Sequence, residues 1–214
     1  MSAVPHEFAL LKGSPPPGLI AAFEDASRNT LARHGMSAFE MTREAAIAHE
    51  SGHVIVGAHE GTTFQSVRIF FRSMPPFGKV WGGWCAEENS KEWTSGPDTS
   101  AESDLSRARV IIAGLAGEAI TGLDKPGSSL DELALSQLLG VNAAVKLHDH
   151  TLSDAEYSAY AQRLWHEQVW GVAVAILCSN RDPFMRLVEH LHQKERIQGG
   201  KLRAVLAQIR RITP

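Results

Sequence analysis

The sequence predicts a mainly helical α+β domain with one small β-sheet or hairpin. Stretches of strong helix formers recur along the 214 residues, and capping or stop signals bound most of them. Only residues 63–71 and 79–86 are rich in β-branched and aromatic side chains, and a Pro-Pro turn separates them, so they are predicted to form a hairpin. We expect no β-strand elsewhere.

Six helices are expected within this domain. The first ends before Gly61, and two S-x-x-E capping boxes, at residues 129–132 and 153–156, open two of the later ones. Asp182 is expected to cap another helix, with Pro183 at its first helical position. The expected helices cover about residues 42–59, 105–120, 129 into the 140s, 153–178, 182–196 and the segment that follows Gly200.

The chain is predicted to divide into an N-terminal extension or linker, residues 1–35, and a single domain, residues 36–214. Residues 13–18 read G-S-P-P-P-G, a composition that excludes helix and favours a linker. A short helix near residues 19–34 is expected to dock on the main domain.

Composition excludes several classes of function. Lys and Arg total 21 against 24 for Asp and Glu, and the formal net charge of −3 offers no general attraction to nucleic acid or to an anionic membrane. The two cysteines, Cys85 and Cys178, form no C-x-x-C pair, so neither a disulfide framework nor a thiolate metal site is expected. The sequence shows neither an export signal nor a membrane-spanning run, and a cytoplasmic location is expected.

Residues 49–53 read H-E-S-G-H and match the pattern H-E-x-x-H. Residues four apart share a helical face, so the imidazoles of His49 and His53 can reach one zinc ion while Glu50 reaches the water on that ion. In such sites the glutamate takes a proton from the water and passes it to the leaving amine. The alternative interpretation is a pair of hydrogen-bonded core histidines.

A catalytic zinc normally takes a third protein ligand. His59 has the spacing of a longer zinc pattern, but that pattern requires glycine where Val56 stands. Glu118, Asp131 and Glu132 are the other candidates, although acids in a first helical turn also stabilise the helix dipole and Glu132 would complete a capping box. The residues alone do not choose between Glu118 and Asp131.

Four stretches resemble the FtsH-type peptidase domain, the proteolytic half of the membrane AAA proteases. Residues 49–53 resemble its H-E-A-G-H core, residues 113–122 its small-residue helix, and residues 181–206 its C-terminal helix pair. Residues 127–131, G-S-S-L-D, are similar to its G-A-S-N-D segment. The resemblance covers roughly residues 40–210 and implies an FtsH-peptidase-like helical fold built around the H-E-x-x-H helix.

The resemblance also implies a set of roles. Zn²⁺ would be bound by His49, His53 and Asp131, Glu50 would be the catalytic base, and Glu118 would support or pack against the site. The hairpin would lie beside the active site, where a substrate peptide can add as a further strand. Hexamers occur in this family, but much of that assembly belongs to the ATPase module, so a homo-oligomer is only one of the states open to this chain.

The chain departs from that family in having no G-x-x-x-x-G-K-[ST] motif, and hence no ATPase module. We therefore expect an ATP-independent zinc metallopeptidase that hydrolyses unfolded or short polypeptides, or one that works with a separate unfoldase. The alternative is a non-catalytic binding or regulatory module that retains the peptidase fold and the metal site.

Three tryptophans, Trp81, Trp84 and Trp93, lie in or just after the predicted hairpin. Large aromatic rings in such a segment usually pack against the core or a neighbouring strand. Packing is therefore their expected role, and lining of a substrate groove is the alternative.

Overall fold

The computed structural model describes residues 41–73, 79–88, 99–123, 130–148 and 153–212. These ranges are mainly helical and contain one small antiparallel sheet, which confirms the predicted α+β class. The extension at residues 1–35 and its expected helix lie outside the described residues. The elements in chain order are α1 (Arg43–His59), β1 (Phe64–Ser73), β2 (Lys79–Glu87), α2 (Ala101–Ile120), α3 (Leu130–Leu147), α4 (Asp154–Leu164), a π-helical segment (Trp165–Gly171), α5 (Val172–Ser179), α6 (Arg181–Lys194), β3 (Arg196–Gln198) and α7 (Gly199–Leu206).

Side-chain caps set the start of three helices. The Thr42 hydroxyl accepts the Ala45 amide at the start of α1, and Ser100 caps α2 in the same way. Ser153 and Glu156 form the predicted capping box at the start of α4. Each cap satisfies an amide that has no partner within its own helix. The cap at Ser100 explains why α2 begins at Ala101, four residues earlier than expected.

Helices α1 and α2 cross with their backbones almost in contact. A Cβ atom on Gly52 would lie 2.1 Å from the carbonyl oxygen of Ala113, and one on Gly117 would lie 2.5 Å from the carbonyl oxygen of Ala48. Only glycine permits so close an approach. The crossing therefore fixes the position of α1, the helix that carries the H-E-x-x-H motif, against α2.

The sheet has three strands in the order β2-β1-β3, so the expectation that no strand follows the hairpin was wrong. β3 pairs antiparallel with β1, aligning Ile197 with Val67. Glu195 precedes β3 with a φ of 56°, and this left-handed residue turns the chain from α6 into the strand. A three-residue strand with a single buried side chain is too short to give a detectable alternation in the sequence.

Helix α6 starts at Arg181, directly after Asn180, so the expectation that Asp182 caps it was wrong. Pro183 is then the third helical residue. Proline is tolerated there because the amides of the first turn have no acceptor within the helix. The expected helix over residues 153–178 is present, but a π-helical segment separates α4 from α5.

Two hydrophobic clusters hold the described residues together. The larger lies between α1, α2, α3, the π-helical segment and α5, and includes Ile55, Ile112 and Leu139. The smaller lies between α1, the inner face of the sheet, α6 and α7, and includes Val67 and Leu191. Helix α1 contributes to both and therefore runs through the centre of the domain. None of the helices in the described ranges combines the length and the apolarity that crossing a bilayer requires.

Candidate metal centre

The two histidines of the motif lie on one face of α1, as the spacing predicted. Their ring centroids are 4.6 Å apart and the Nε2 atoms are 2.9 Å apart. His49 is buried and His53 half-buried, so both imidazoles are largely removed from water. The motif therefore brings two potential metal ligands to one point.

Hydrogen bonds on the far side of each ring determine which nitrogen carries the proton. Nδ1 of His49 lies 2.7 Å from Oε1 of Glu118, and Nδ1 of His53 lies 2.8 Å from the carbonyl oxygen of Val110. Both partners are acceptors, so Nδ1 is the donor in each ring. When both rings are neutral, the lone pairs of their Nε2 atoms face each other and repel, and a proton or a metal ion on Nε2 relieves this repulsion.

Glu132, in the first turn of α3, adds its carboxylate to the same point. Oε2 lies 3.1 Å from Nε2 of His49, and Oε1 lies 3.4 Å from Nε2 of His53. The ligand atoms of His49, His53 and Glu132 all lie within 4.8 Å of one another, so the three residues form a group that could hold a metal ion.

The ionisation of these groups follows from their proximity. Burial lowers the pKa of His49, but the charge of Glu132 and the hydrogen bond that His49 donates to Glu118 outweigh it and raise the pKa well above its ordinary value. The pKa of His53 is raised in the same way, by Glu132 against burial. Burial raises the pKa of Glu132, yet the two imidazoles hold it well below its usual range. The arrangement thus attracts positive charge, supplied either by protons or by a metal ion.

The other candidates for third ligand have different positions. The side chain of Asp131 lies outside the described residues, so Asp131 stays a prediction. Glu118 contacts Nδ1 of His49 and fixes that ring, in keeping with the supporting role that the resemblance implied. His59 is not part of the group: its Nε2 accepts the backbone amide of Ile212, 3.0 Å away.

Two glycines leave room for the reactive side chains. A Cβ atom on Gly114 of α2 would lie 2.3 Å from Cε1 of His49. A Cβ atom on Gly83 of β2 would lie 2.0 Å from Cγ of Glu50. Any other residue at either position would displace a side chain of the motif.

Glu50 points towards the sheet and is held there by Cys85 of β2. The thiol donates to Oε2 of Glu50 at 2.9 Å. Burial raises the pKa of the Cys85 thiol well above its ordinary value, and the charge of Glu50 adds to the effect, so the thiol stays protonated and remains a donor. Glu50 is therefore a carboxylate with a fixed orientation.

A cavity of about 340 Å³ opens between β2, α2 and the start of α3. Its walls include the acidic residues of the site, apolar side chains and the buried Arg107. Trp84 stands on the rim with 58% of its surface exposed, so packing, its expected role, does not describe it, whereas Trp81 packs against the smaller hydrophobic cluster. Trp93 lies outside the described residues. The lining residues are Glu50, His53, Phe64, Gly83, Trp84, Cys85, Glu87, Arg107, Val110, Ile111, Glu132 and Leu135.

Sequence reasoning missed several residues that shape the site. Gly83 belongs to two consecutive glycines inside a predicted strand, a signal of close approach that was present in the sequence. Gly114 belongs to the small-residue run of α2, which was noted only as a family resemblance. Nothing in the sequence indicates that Cys85 faces Glu50 or that the carbonyl of Val110 faces His53, because both contacts join distant parts of the chain.

In comparisons with known proteins, no protein-family model matches the chain, and no curated protein matches it significantly.

Proposed function

We propose that this chain is a zinc-dependent peptidase in which His49, His53 and Glu132 bind the metal and Glu50 is the general base. The observation that supports this most is the pair of facing Nε2 atoms, 2.9 Å apart, whose Nδ1 atoms both donate elsewhere. Two buried nitrogen atoms this close to each other and to Glu132 need a shared positive charge, which a zinc ion would supply in place of protons.

The ligand types favour zinc over calcium and magnesium. Two imidazoles and one carboxylate suit zinc, whereas calcium and magnesium prefer oxygen ligands alone. Glu118 and the Val110 carbonyl hold the outer nitrogens of the two imidazoles, an arrangement typical of metal-bound histidines.

Asp131 and Glu132 compete for the third ligand position. Glu132 is supported by the distances of its oxygens to both imidazoles. Asp131 is supported by the resemblance to FtsH-type peptidases. Zinc content after Asp131→Asn and after Glu132→Gln distinguishes them, and we expect the larger loss from Glu132→Gln.

Three observations support Glu50 as the general base. It lies next to His49 in the chain, lines the cavity and is oriented by the Cys85 thiol. Zinc in this site would polarise a peptide carbonyl and make a water molecule more acidic. The Glu50 carboxylate would accept the proton of that water and deliver it to the nitrogen of the leaving amine.

The sheet suggests how a substrate would lie. β2 is an outer strand of the sheet, and its residues Gly83, Trp84 and Cys85 line the cavity beside Glu50. An extended peptide could pair with this strand and pass its backbone across the site. Only an unfolded or short polypeptide offers such a segment, so we propose ATP-independent cleavage of these substrates or action after a separate unfoldase.

The test compares the wild type with Glu50→Gln and with a matched control, Glu44→Gln, which alters an exposed carboxylate on the same helix. Cleavage of an unfolded casein-like substrate and zinc content are measured for all three. We expect Glu50→Gln to keep its zinc and lose activity by about 10²- to 10⁴-fold, while Glu44→Gln keeps both. Equal activity in Glu50→Gln and the wild type would refute the proposed role of Glu50.

The contact between Cys85 and Glu50 favours a second candidate, a binding module that retains the metal site without catalysis. A thiol that donates to Glu50 occupies one of its two oxygens. This candidate predicts bound zinc with no hydrolysis, both in the wild type and in Cys85→Ala. Hydrolysis by either protein that disappears with Glu50→Gln would exclude it.

A further inference from the structure

The outer face of the sheet carries an unusual set of side chains. The strand register places Arg68 directly opposite Trp84 on one side and Arg196 on the other, and places Arg72 opposite Val80. The neighbouring residues Val67, Ile69 and Ile197 are buried on the inner face, so these arginines point outward. We call Arg68, Phe70, Arg72, Trp84 and Arg196 the arginine face.

Aromatic rings lie between the charges of this face. The guanidinium carbons of Arg68 and Arg72 are 5.4 and 5.6 Å from the centroid of the Phe70 ring. These cation–π contacts hold both arginines close to the sheet surface. With Trp84 more than half exposed, the face offers flat apolar area and positive charge together.

No residue of the arginine face is acidic. Arg68 and Arg196 are directly opposed on adjacent strands, and like charges in that position destabilise a sheet. On the three strands, no outward position that the structure describes carries an acidic residue. An anionic partner would relieve this repulsion, so the face is complementary to negative charge even though the whole chain is slightly acidic.

The arginine face is continuous with the cavity. Trp84 belongs to the face and also stands on the cavity rim, and Cys85, the next residue, contacts Glu50. Cys85 points to the inner side of the sheet, so a segment bound along the face would reach Glu50 by passing over the edge strand β2. The cavity is lined by Glu50 and Glu87, which are not proposed metal ligands and repel negative charge, and by one buried arginine, Arg107.

We propose that the arginine face binds an acidic segment of a polypeptide substrate while a neighbouring, uncharged segment enters the cavity. This inference rests on the proposed peptidase function. It favours a polypeptide over a nucleic acid because a polypeptide can confine its charge to one segment. A nucleic acid would carry the same charge on every unit towards Glu50 and Glu87, the two cavity carboxylates that are not proposed to bind the metal ion.

The test measures binding of a fluorescent peptide that has an acidic half and an uncharged half, by anisotropy, to the Glu50→Gln protein so that no cleavage intervenes. A second peptide has Gln and Asn in place of every Glu and Asp. We expect the acidic peptide to bind about tenfold more tightly at low ionic strength, with the difference shrinking as salt is added.

Variants of the face locate the binding. Adding Arg68→Glu and Arg196→Glu together is expected to remove the preference for the acidic peptide. Arg163→Glu, the same substitution at one site on α4 away from the sheet, is expected to keep it and is the charge-matched control for the single variant Arg68→Glu. The single variant Arg68→Glu separates binding from folding, because it converts a like-charge pair into an opposite-charge pair. It should bind the acidic peptide less tightly while its thermal midpoint is no lower than that of the parent protein.

Several outcomes would overturn the inference. They are equal binding of the two peptides, a preference that survives the arginine substitutions, or tighter arginine-dependent binding of a single-stranded oligonucleotide than of the acidic peptide.

The wild type is then assayed for cleavage of both peptides. Arginine-dependent binding with no cleavage would refute the peptidase and leave the acidic-segment site standing. Cleavage with no preference would refute the site alone.

Discussion

The two sides of the metal centre are built in different ways. On the back side, α1 and α2 cross at Gly52 and Gly117 with their backbones in direct contact. No side chain lies between the two helices there, so a change in side-chain conformation cannot make room for a larger residue. On the open side, Glu132 and the pair Glu50 and Cys85 come from separate elements and meet only through side chains. The back side therefore determines where the imidazoles lie, and the open side determines what chemistry takes place there.

The largest effect on stability is expected at the back side. Gly52→Ala would place a Cβ atom 2.1 Å from the Ala113 carbonyl oxygen, and neither backbone can move without separating the helices. We expect a loss of about 3 kcal/mol or more in the free energy of unfolding. Denaturant unfolding in the presence of a chelator measures it.

The adjacent substitution Ser51→Ala is the matched control. The Ser51 hydroxyl is fully buried and has no hydrogen-bond partner among the described residues, so its removal should leave stability unchanged or raise it by up to about 1 kcal/mol. Similar losses from Gly52→Ala and Ser51→Ala would contradict the distinction between backbone contact and side-chain contact.

An intermediate effect, on zinc affinity, is expected where Glu118 of α2 contacts the proposed ligand His49. Glu118→Ala removes the acceptor for Nδ1 of His49, and that ring loses both its orientation and its tautomer. We expect zinc affinity to fall by about 10- to 100-fold. Glu118→Gln retains an acceptor, so its zinc affinity should fall less. Competition with a chelator of known affinity gives both values, and an unchanged affinity in Glu118→Ala would show that the contact does not position the ligand.

The smallest effect is a dependence of zinc binding on pH. The pKa values of His49 and His53 are raised, so protons compete with zinc for Nε2 of these rings more strongly than they would for a free imidazole. The pKa of Glu132 is lowered, so this group is already ionised and releases none. Affinity should therefore rise with pH until the pKa of His49 is passed and then level off.

Calorimetry of zinc binding in buffers with different ionisation enthalpies measures this displacement. We expect about one to two protons to be released per zinc ion near pH 7. A binding enthalpy that does not depend on the buffer would mean that the rings are already neutral in the protein without zinc.

Sequence reasoning predicted the back side of the site better than the open side. The H-E-x-x-H spacing sufficed to place His49 and His53 together, because both lie within one helix whose geometry is local. The hairpin was likewise predicted from its own residues. Sequence patterns gave correct predictions where the contacts that determine the structure lie within a single helix or hairpin.

The open side depends on contacts between elements that are distant in the chain. Glu132 reaches the imidazoles because α3 starts beside α1, and the capping-box pattern around it predicts only a local role. The contacts of Cys85 and of Val110 carry no pattern at all. The strand at residues 196–198 was missed for the same reason, since its only determinant is pairing with β1.

The most direct test of the account is a zinc titration of the purified chain and of His53→Ala. The account predicts one zinc ion per wild-type chain and a loss of affinity of about 100-fold or more in the variant, since one of three protein ligands is gone. A wild-type protein that takes up no zinc, or a variant that binds it as tightly, would contradict the proposal that the facing imidazoles form a metal site.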